Sequence, residues 1–292
     1  MLVEVAGAGV NRADLLQRMG RYAAPPGWPQ DVPGLEFSGI VVEAGPSAIA
    51  RKPGDRVFGI SGGGAQAAHL AIPESLCVPA PEGMDLVEAG GIPEVFVTAH
   101  DAMLVQAGLR PGERVLIHGV GSGVGTAAVQ LAHAIGAVTV GTSRTPAKLE
   151  RAKELGLDEG VLSGDGMAER IGEVDVVIEL VGGGYLETDL RVCRTGGRIV
   201  IVGLLAGPTA ELDMATLMNK RLSVRGTTLR LRPDHLKAAA LERFAREVVP
   251  LFGRGLLRTV VEAVMPLDEG QDAYDLVASD RTFGKVILRS EG

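Results

Sequence analysis

Cysteine is nearly missing from this chain of 292 residues, with only Cys77 and Cys193. Two thiols so far apart exclude a disulfide framework and a cysteine-built metal cluster, and they point to a reducing, cytoplasmic compartment. Basic clusters are missing too. The net charge is -7 and the Lys and Arg residues are scattered, which argues against nucleic acid and anionic membrane surfaces as partners. No apolar run reaches the roughly 20 residues of a bilayer span. The opening Met1-Leu2-Val3-Glu4-Val5 reads directly as strand, without the pattern of a signal peptide. There is no internal repeat and no low-complexity tract.

Apolar residues and glycine are plentiful. At 46% hydrophobic the chain can bury a large core, and its length predicts two domains. The 41 glycines sit between apolar segments and predict many tight connections.

The stretch around which the rest is arranged is Val115-Leu116-Ile117-His118-Gly119-Val120-Gly121-Ser122-Gly123-Val124-Gly125-Thr126. It reads as a buried strand, a glycine turn and the start of an apolar helix. Such a turn lets backbone N–H groups approach a phosphate, and the helix N-terminus adds partial positive charge. The spacing does not fit G-x-G-x-x-G from any start. A glycine turn that only packs a helix on a sheet is the competing reading.

Before this stretch, residues 2–10, 38–44, 55–60 and 65–72 read as short strands separated by Gly-Pro turns, which suggests a compact, β-barrel-like domain. A short helix over 13–19 follows the first strand, and Tyr22 then enters the loop Pro25-Pro26-Gly27-Trp28-Pro29. From Pro93 the pattern changes. A helix over 95–106 precedes strands at 114–118, 138–142, 174–180 and 198–202, with helices between them. That alternation implies a parallel, doubly wound sheet. A further strand is expected over 223–229 and one long helix over 233–252. The tail returns to the β style of the opening, so the nucleotide domain reads as inserted in a discontinuous outer domain.

These segments together resemble the zinc-free quinone oxidoreductase (zeta-crystallin-like) branch of the medium-chain dehydrogenase/reductase superfamily. The resemblance is carried by Gly9-Val10-Asn11-Arg12-Ala13-Asp14-Leu15, Pro33-Gly34-Leu35-Glu36-Phe37-Ser38-Gly39, Pro53-Gly54-Asp55-Arg56-Val57 and Ile92-Pro93-Glu94. The glycine turn, Gly196-Gly197-Arg198 and Thr282-Phe283-Gly284-Lys285-Val286 complete it. It implies an α/β fold, a Rossmann-type doubly wound parallel sheet inserted in a GroES-like β-rich domain. Residues 1–93 and 256–292 would form the substrate domain, and 94–255 the NADP-binding domain. Members of the branch carry a longer N-terminal segment, so the first strands of the outer domain are expected to be missing and Met1 to be an internal start or trimmed boundary.

The resemblance also implies a site. Zinc-dependent relatives hold catalytic zinc through a cysteine and a histidine whose places are taken here by Asn11 and Leu35, with Glu36 retained. Neither replaces a thiolate or an imidazole as ligand, so no metal is expected. Without a Lewis acid an alkoxide would lack stabilisation. A quinone or an α,β-unsaturated carbonyl, an electrophile, needs only positioning and a hydrogen bond to its carbonyl oxygen. Asn11 and Tyr22 are the candidates for that catalytic role. On the residues alone, a turn-stabilising asparagine and a proline-packed tyrosine are the stronger readings, and the resemblance reverses the order. Asp14 reads as a solvated carboxylate. The five histidines, His69, His100, His118, His133 and His235, show no pairing in sequence and read as structural.

For the cofactor, NADPH, the candidates are Thr98, Gly121, Ser122, Gly123, Val124, Ser143, Arg144, Lys148, Gly203 and Leu204. The second strand ends at Ser143-Arg144 with no carboxylate until Glu150, where an NAD-specific fold would place Asp or Glu. Ordinary solvated surface residues are the competing reading of Arg144 and Lys148. A tyrosine that relatives place near the 2′-phosphate would fall at about Ser163. The expected partners are a small-molecule acceptor and a second copy of the chain, paired through 223–229 as an uncovered edge strand. An enoyl-thioester reductase and a non-catalytic, crystallin-like NADPH binder are the alternatives.

Overall fold

The structure, a computed structural model, describes residues 1–291. In chain order it opens with β1 (Leu2–Val10), α1 (Arg12–Arg18), β2 (Glu36–Glu43), β3 (Arg56–Ile60), β4 (His69–Ala71), β5 (Cys77–Pro79), α2 (Leu86–Ala89) and α3 (Pro93–His100). Then strands and helices alternate. They are β6 (Arg114–Ile117), α4 (Gly123–Ala134), β7 (Val138–Ser143), α5 (Pro146–Lys153), β8 (Glu159–Leu162), α6 (Met167–Ile171), β9 (Val174–Glu179), α7 (Tyr185–Val192), β10 (Cys193–Ile201), α8 (Met214–Asn219) and β11 (Ser223–Gly226). The chain closes with α9 (Asp234–Glu247), α10 (Val249–Gly253), β12 (Val261–Pro266), α11 (Gly270–Ala278) and β13 (Lys285–Arg289).

These elements form two compact units. Met1–Val97 with the chain from Leu229 onward makes the first, and Thr98–Thr228 the second.

In the first unit the sheet runs β12-β13-β1-β2-β3-β5, with β4 also on β1. Its pairs are antiparallel except β12 with β13. The central strand β1 contributes Val3 and Val5 to a core shared with Phe37, Val41, Val57 and Leu70. Its end matters most, because Val10 lies opposite Val286. That register brings Asn11, just past β1, to Lys285, the first residue of β13. Glu36 opens the neighbouring β2.

The second unit is an all-parallel sheet in the order β11-β10-β9-β6-β7-β8. Val115, Leu116, Ile117, Val176, Val177 and Ile178 have no exposure at all, as expected for strands covered on both faces. In open parallel sheets the ligand crevice lies beyond the carboxyl ends of the strands. Those ends are His118 after β6, Ser143 on β7, Glu179 on β9 and Gly203 just past β10.

The doubly wound sheet and the β-rich unit match the sequence reading, with local differences. The strand expected over 65–72 shrinks to β4. The helix expected over 95–106 starts at Pro93 and passes after His100 into a π-helical stretch, Asp101–Gln106. The helix expected over 233–252 breaks at Val248, because Pro250 has no N–H and its ring collides with the preceding turn. The strand expected over 223–229 stops at Gly226 but does lie at the sheet edge. Strand β8 had no counterpart in the reading. Residues 229–255, expected with the nucleotide domain, pack in the first unit. There Phe244 meets Phe58 edge-on at 6.3 Å and Phe252 meets Phe96 at 4.9 Å.

Candidate active site

The glycine turn is held by its own serine. Ser122 Oγ donates to Gly119 O at 2.8 Å and accepts from Gly125 N at 3.0 Å, capping α4. Gly125 is a glycine for want of room, since a Cβ there would stand 2.4 Å from Gly119 O and 2.8 Å from Val120 Cα. With Gly125 N taken by the cap, the N–H groups of Gly123 and Val124 are the first-turn donors open to a ligand. Gly121 precedes them within the turn and is buried.

At the end of β7 the Ser143 hydroxyl accepts from Thr145 N at 3.1 Å, and Ser143 O accepts from Ser163 N at 2.9 Å. Ser163 therefore stands beside Ser143, where the resemblance would put a tyrosine. Arg144 is exposed and Lys148 half-buried. Gly203 N donates to Glu179 O at 3.1 Å, and a Cβ on Gly203 would lie 2.4 Å from Leu180 O. Leu204, next along, is exposed. Thr98 Oγ1 is buried and has no hydrogen-bond partner among the described residues. Free helix-start amides, a turn that admits no Cβ and an orphaned hydroxyl are features that fit a dinucleotide.

In the first unit Asn11 is tied on both sides. Its Nδ2 donates to Glu36 Oε1 at 2.9 Å and to Gly9 O at 3.3 Å, while its Oδ1 accepts from Lys285 Nζ at 2.8 Å. The same ammonium donates to Val10 O at 3.0 Å and lies 2.6 Å from Glu36 Oε1. Glu36 Oε2 accepts from Glu94 N at 2.9 Å. Leu35 is buried in the core. A zinc ion does not fit here: a cation, Lys285, already balances Glu36, and the Asn11 amide is engaged.

Asp14, read from sequence as solvated, is fully buried. Its Oδ2 accepts from Asn11 N at 2.8 Å and from Gln66 Nε2 at 3.3 Å, and its Oδ1 accepts from Gly34 N at 3.1 Å. Burial pushes its carboxyl up to about 6 against the pull of the Asn11 and Gly34 amides. Burial, then the Glu36 charge, pushes Glu94 up to about 8.

Tyr22 belongs to a separate network. Arg230, buried, lies under its ring with the guanidinium carbon 4.9 Å from the centroid. Arg230 also donates to Tyr22 O at 3.0 Å, to Gly62 O at 3.1 Å and to Gln17 Oε1. Asn11 and Tyr22 are thus anchored by different partners.

Sequence reasoning missed one cluster altogether. His118 Nε2 lies 2.9 Å from Asp189 Oδ1 and 3.8 Å from Glu179 Oε2, and its Nδ1 lies 2.8 Å from Thr142 Oγ1. All three ionisable groups are buried. Burial pushes His118 down to about 4 and each carboxyl up to about 7. A signal was present: a histidine follows the apolar run Val115-Leu116-Ile117 and a glutamate ends the run Val176-Val177-Ile178, both in parallel strands covered on both faces.

A groove of about 810 Å³ in the same unit is lined by Gly183, Glu187, Arg191, Asp213 and Lys220, and it takes in none of the expected cofactor residues.

Residues 1–82 match the family described as alcohol dehydrogenase GroES-like domain, and residues 123–246 the family described as zinc-binding dehydrogenase. The chain is 32% identical over 305 residues to the quinone oxidoreductase of Lama guanicoe, covering 99% of itself and 88% of that protein. It is 35% identical over 295 residues to the spectinabilin polyketide synthase system protein NorB of Streptomyces orinoci, of whose length it spans 13%. The quinone oxidoreductase of Thermus thermophilus, solved alone and with NADPH, superposes with a TM-score of 0.84 at 32% identity over 99% of this chain and 90% of that one. CurK enoyl reductase superposes with a TM-score of 0.84 at 26% identity, over 99% and 90%.

Proposed function

This chain belongs to the medium-chain dehydrogenase/reductase superfamily, among the relatives of the quinone oxidoreductases, and on that premise we propose that it reduces a quinone or related α,β-unsaturated carbonyl with NADPH and without zinc. The observation that carries the reading is the buried Lys285–Glu36–Asn11 network. It sets an ammonium, whose hydrogen bonds go to the protein, beside Asn11, the residue that the resemblance puts at a zinc-ligand position. An acceptor bound beside it must therefore be reducible without a Lewis acid.

When bound, the nicotinamide supplies the hydride. The chain's own residues bind and orient. Amides of Gly123 and Val124, in the turn that follows Gly121 and is held by the Ser122 cap, meet the pyrophosphate. Thr98 Oγ1 takes the carboxamide. Gly203 and Leu204 line the nicotinamide side. Ser143, Arg144 and Lys148 favour the 2′-phosphate of NADPH. Asn11 is held rigid by Glu36 and Lys285 and is left as an orienting group, because its amide hydrogens already have acceptors. Tyr22, fixed over Arg230, is the hydrogen-bond donor to the acceptor's carbonyl oxygen.

The likeness to CurK enoyl reductase favours one rival reading, reduction of an enoyl thioester. A non-catalytic, crystallin-like NADPH binder is the other. The edge position of β11 supports a homodimer paired along that strand.

Following NADPH absorbance against quinones, enones and enoyl thioesters, with and without chelator, tests these together. Turnover of quinones untouched by chelator is expected. Turnover confined to thioesters, or lost with the metal, would overturn the reading, and tight NADPH binding with no acceptor at all would make the chain a binder.

A further inference from the structure

The buried cluster of His118, Glu179 and Asp189 lies beneath the expected ligand side of the second unit. Each member ends or follows an element that leads to it. His118 precedes the glycine turn, and Thr142, its other partner, precedes Ser143. Glu179 ends β9, and Asp189 looks up from α7.

Glu179 itself ties two loops. Its Oε1 accepts from Val181 N and from Gly182 N, the latter at 2.8 Å. Its main-chain oxygen accepts from Val202 N at 2.8 Å and Gly203 N at 3.1 Å. The two loops are also joined directly, Ala206 N donating to Val181 O at 2.7 Å.

The hydrogen-bond inventory of the cluster does not close without one more proton. A neutral imidazole has one N–H and one bare nitrogen. With the N–H on Nε2 it donates to Asp189 Oδ1, and Nδ1 accepts from the Thr142 hydroxyl, so His118 is complete. Two atoms remain without partners, Glu179 Oε2 and Asp189 Oδ2, both buried. The ligand atoms of the three residues lie within 4.8 Å of one another, so two ionised carboxylates there would repel through a poorly screening interior. A single proton on either carboxyl lets it donate to the other and satisfies both orphans at once.

Other titratable groups packed nearby do not supply it, and the Lys220 ammonium is spent on the carbonyls of Leu190, Arg191 and Cys193. Tyr185 meets the imidazole with its ring, edge-on at 4.9 Å. Cys193 is kept as a neutral thiol, pushed up to about 12 by burial.

We propose that Glu179 and Asp189 share one proton, and that this pair, with neutral His118, is a positioning device that fixes loops 181–184 and 202–207 in the form that receives the cofactor. The cofactor part rests on the NADPH reading above; the shared proton does not. The proton enters from solvent on folding and is held until rising pH removes it. Repulsion then drives the Glu179 carboxylate off the Val181 and Gly182 amides, and both loops loosen.

Asp189→Asn isolates the proton. Its Oδ1 still accepts from His118, and its Nδ2 donates to Glu179 Oε2 at every pH. Hydrogen–deuterium exchange of segments 181–184 and 202–207, corrected for intrinsic exchange, and NADPH affinity by calorimetry are measured between pH 5.5 and 9. In the unmodified protein, protection and affinity should both fall, by roughly tenfold for each pH unit past the titration; the variant should stay level within about twofold. If Asp189→Asn does not fold, Glu179→Gln reads the same point, its Oε1 keeping the loop amides while its Nε2 donates to Asp189.

A flat profile in the unmodified protein overturns the proposal, as does an equal slope in the variant. So does a stoichiometric divalent cation on these three side chains. If no dinucleotide binds at any pH, the NADPH reading fails and exchange alone decides the shared proton. Exchange that titrates while affinity does not would remove the positioning role.

Discussion

The Lys285 ammonium lies 2.6 Å from a carboxylate oxygen of Glu36, with both side chains almost wholly removed from solvent. Three acceptors, Val10 O, Asn11 Oδ1 and Glu36 Oε1, surround the ammonium's three hydrogens. Buried ion pairs add little over an apolar pair of the same shape, but removing one partner strands the other. Lys285→Met should therefore destabilise the fold by about 3–5 kcal/mol, read as a lower urea midpoint. Adding Glu36→Gln to that variant should restore part of the loss. Equal stability of Lys285→Met and the unmodified chain would mean that the pair is solvated in practice.

The cofactor preference should follow from Arg144 and Lys148. Replacing both with alanine is expected to raise KM for NADPH by roughly tenfold per lost charge-assisted contact, before screening at an exposed site reduces it. KM for NADH should hardly move. Equal losses for both cofactors, or a preference for NADH in the unmodified protein, would contradict the assignment.

Asp14 should make stability depend on pH. Its carboxyl sits at about 6 in the fold against 3.8 when unburied, chiefly because burial penalises the charged form. The folded state thus binds the proton more tightly than the unfolded one. This contribution is fully present below the unfolded value and is lost as pH rises through the folded one. Relative to Asp14→Asn, the unmodified protein should lose roughly 3 kcal/mol between about pH 4 and pH 7. Parallel unfolding profiles for the two proteins would refute it.

Sedimentation at micromolar concentration should give twice the chain mass, in keeping with pairing along β11. Val224→Pro should shift the protein toward monomer, since it kinks the edge strand proposed for the contact. A monomer in the unmodified chain would dispose of the idea.

Much of this was legible beforehand for a physical reason. Val115-Leu116-Ile117 must be a strand covered on both faces, and the glycines after it must be a turn, because burial and backbone freedom are local properties. That Asn11 and Leu35 are not metal-ligand side chains was also written in single positions. Pairings across the chain were not. Asn11 meets Lys285 over 274 residues and His118 meets Asp189 over 71, and no periodicity encodes which distant charge answers which. Asp14 misled for the same reason. Its place on a helix said nothing of the Gly34 amide and Gln66 side chain folded over it.

The doubly bonded hydroxyl of Ser122 has a kinetic consequence. By joining Gly119 O to Gly125 N it closes the glycine turn into a ring through bonds internal to the turn. On the NADPH reading, a phosphate arriving there would meet amides already held in place, so no ordering step would precede capture. Stopped-flow association should then be a single exponential whose rate rises linearly with ligand concentration and shows no plateau. Ser122→Gly opens the ring, and the lag it introduces would appear as saturation of that rate.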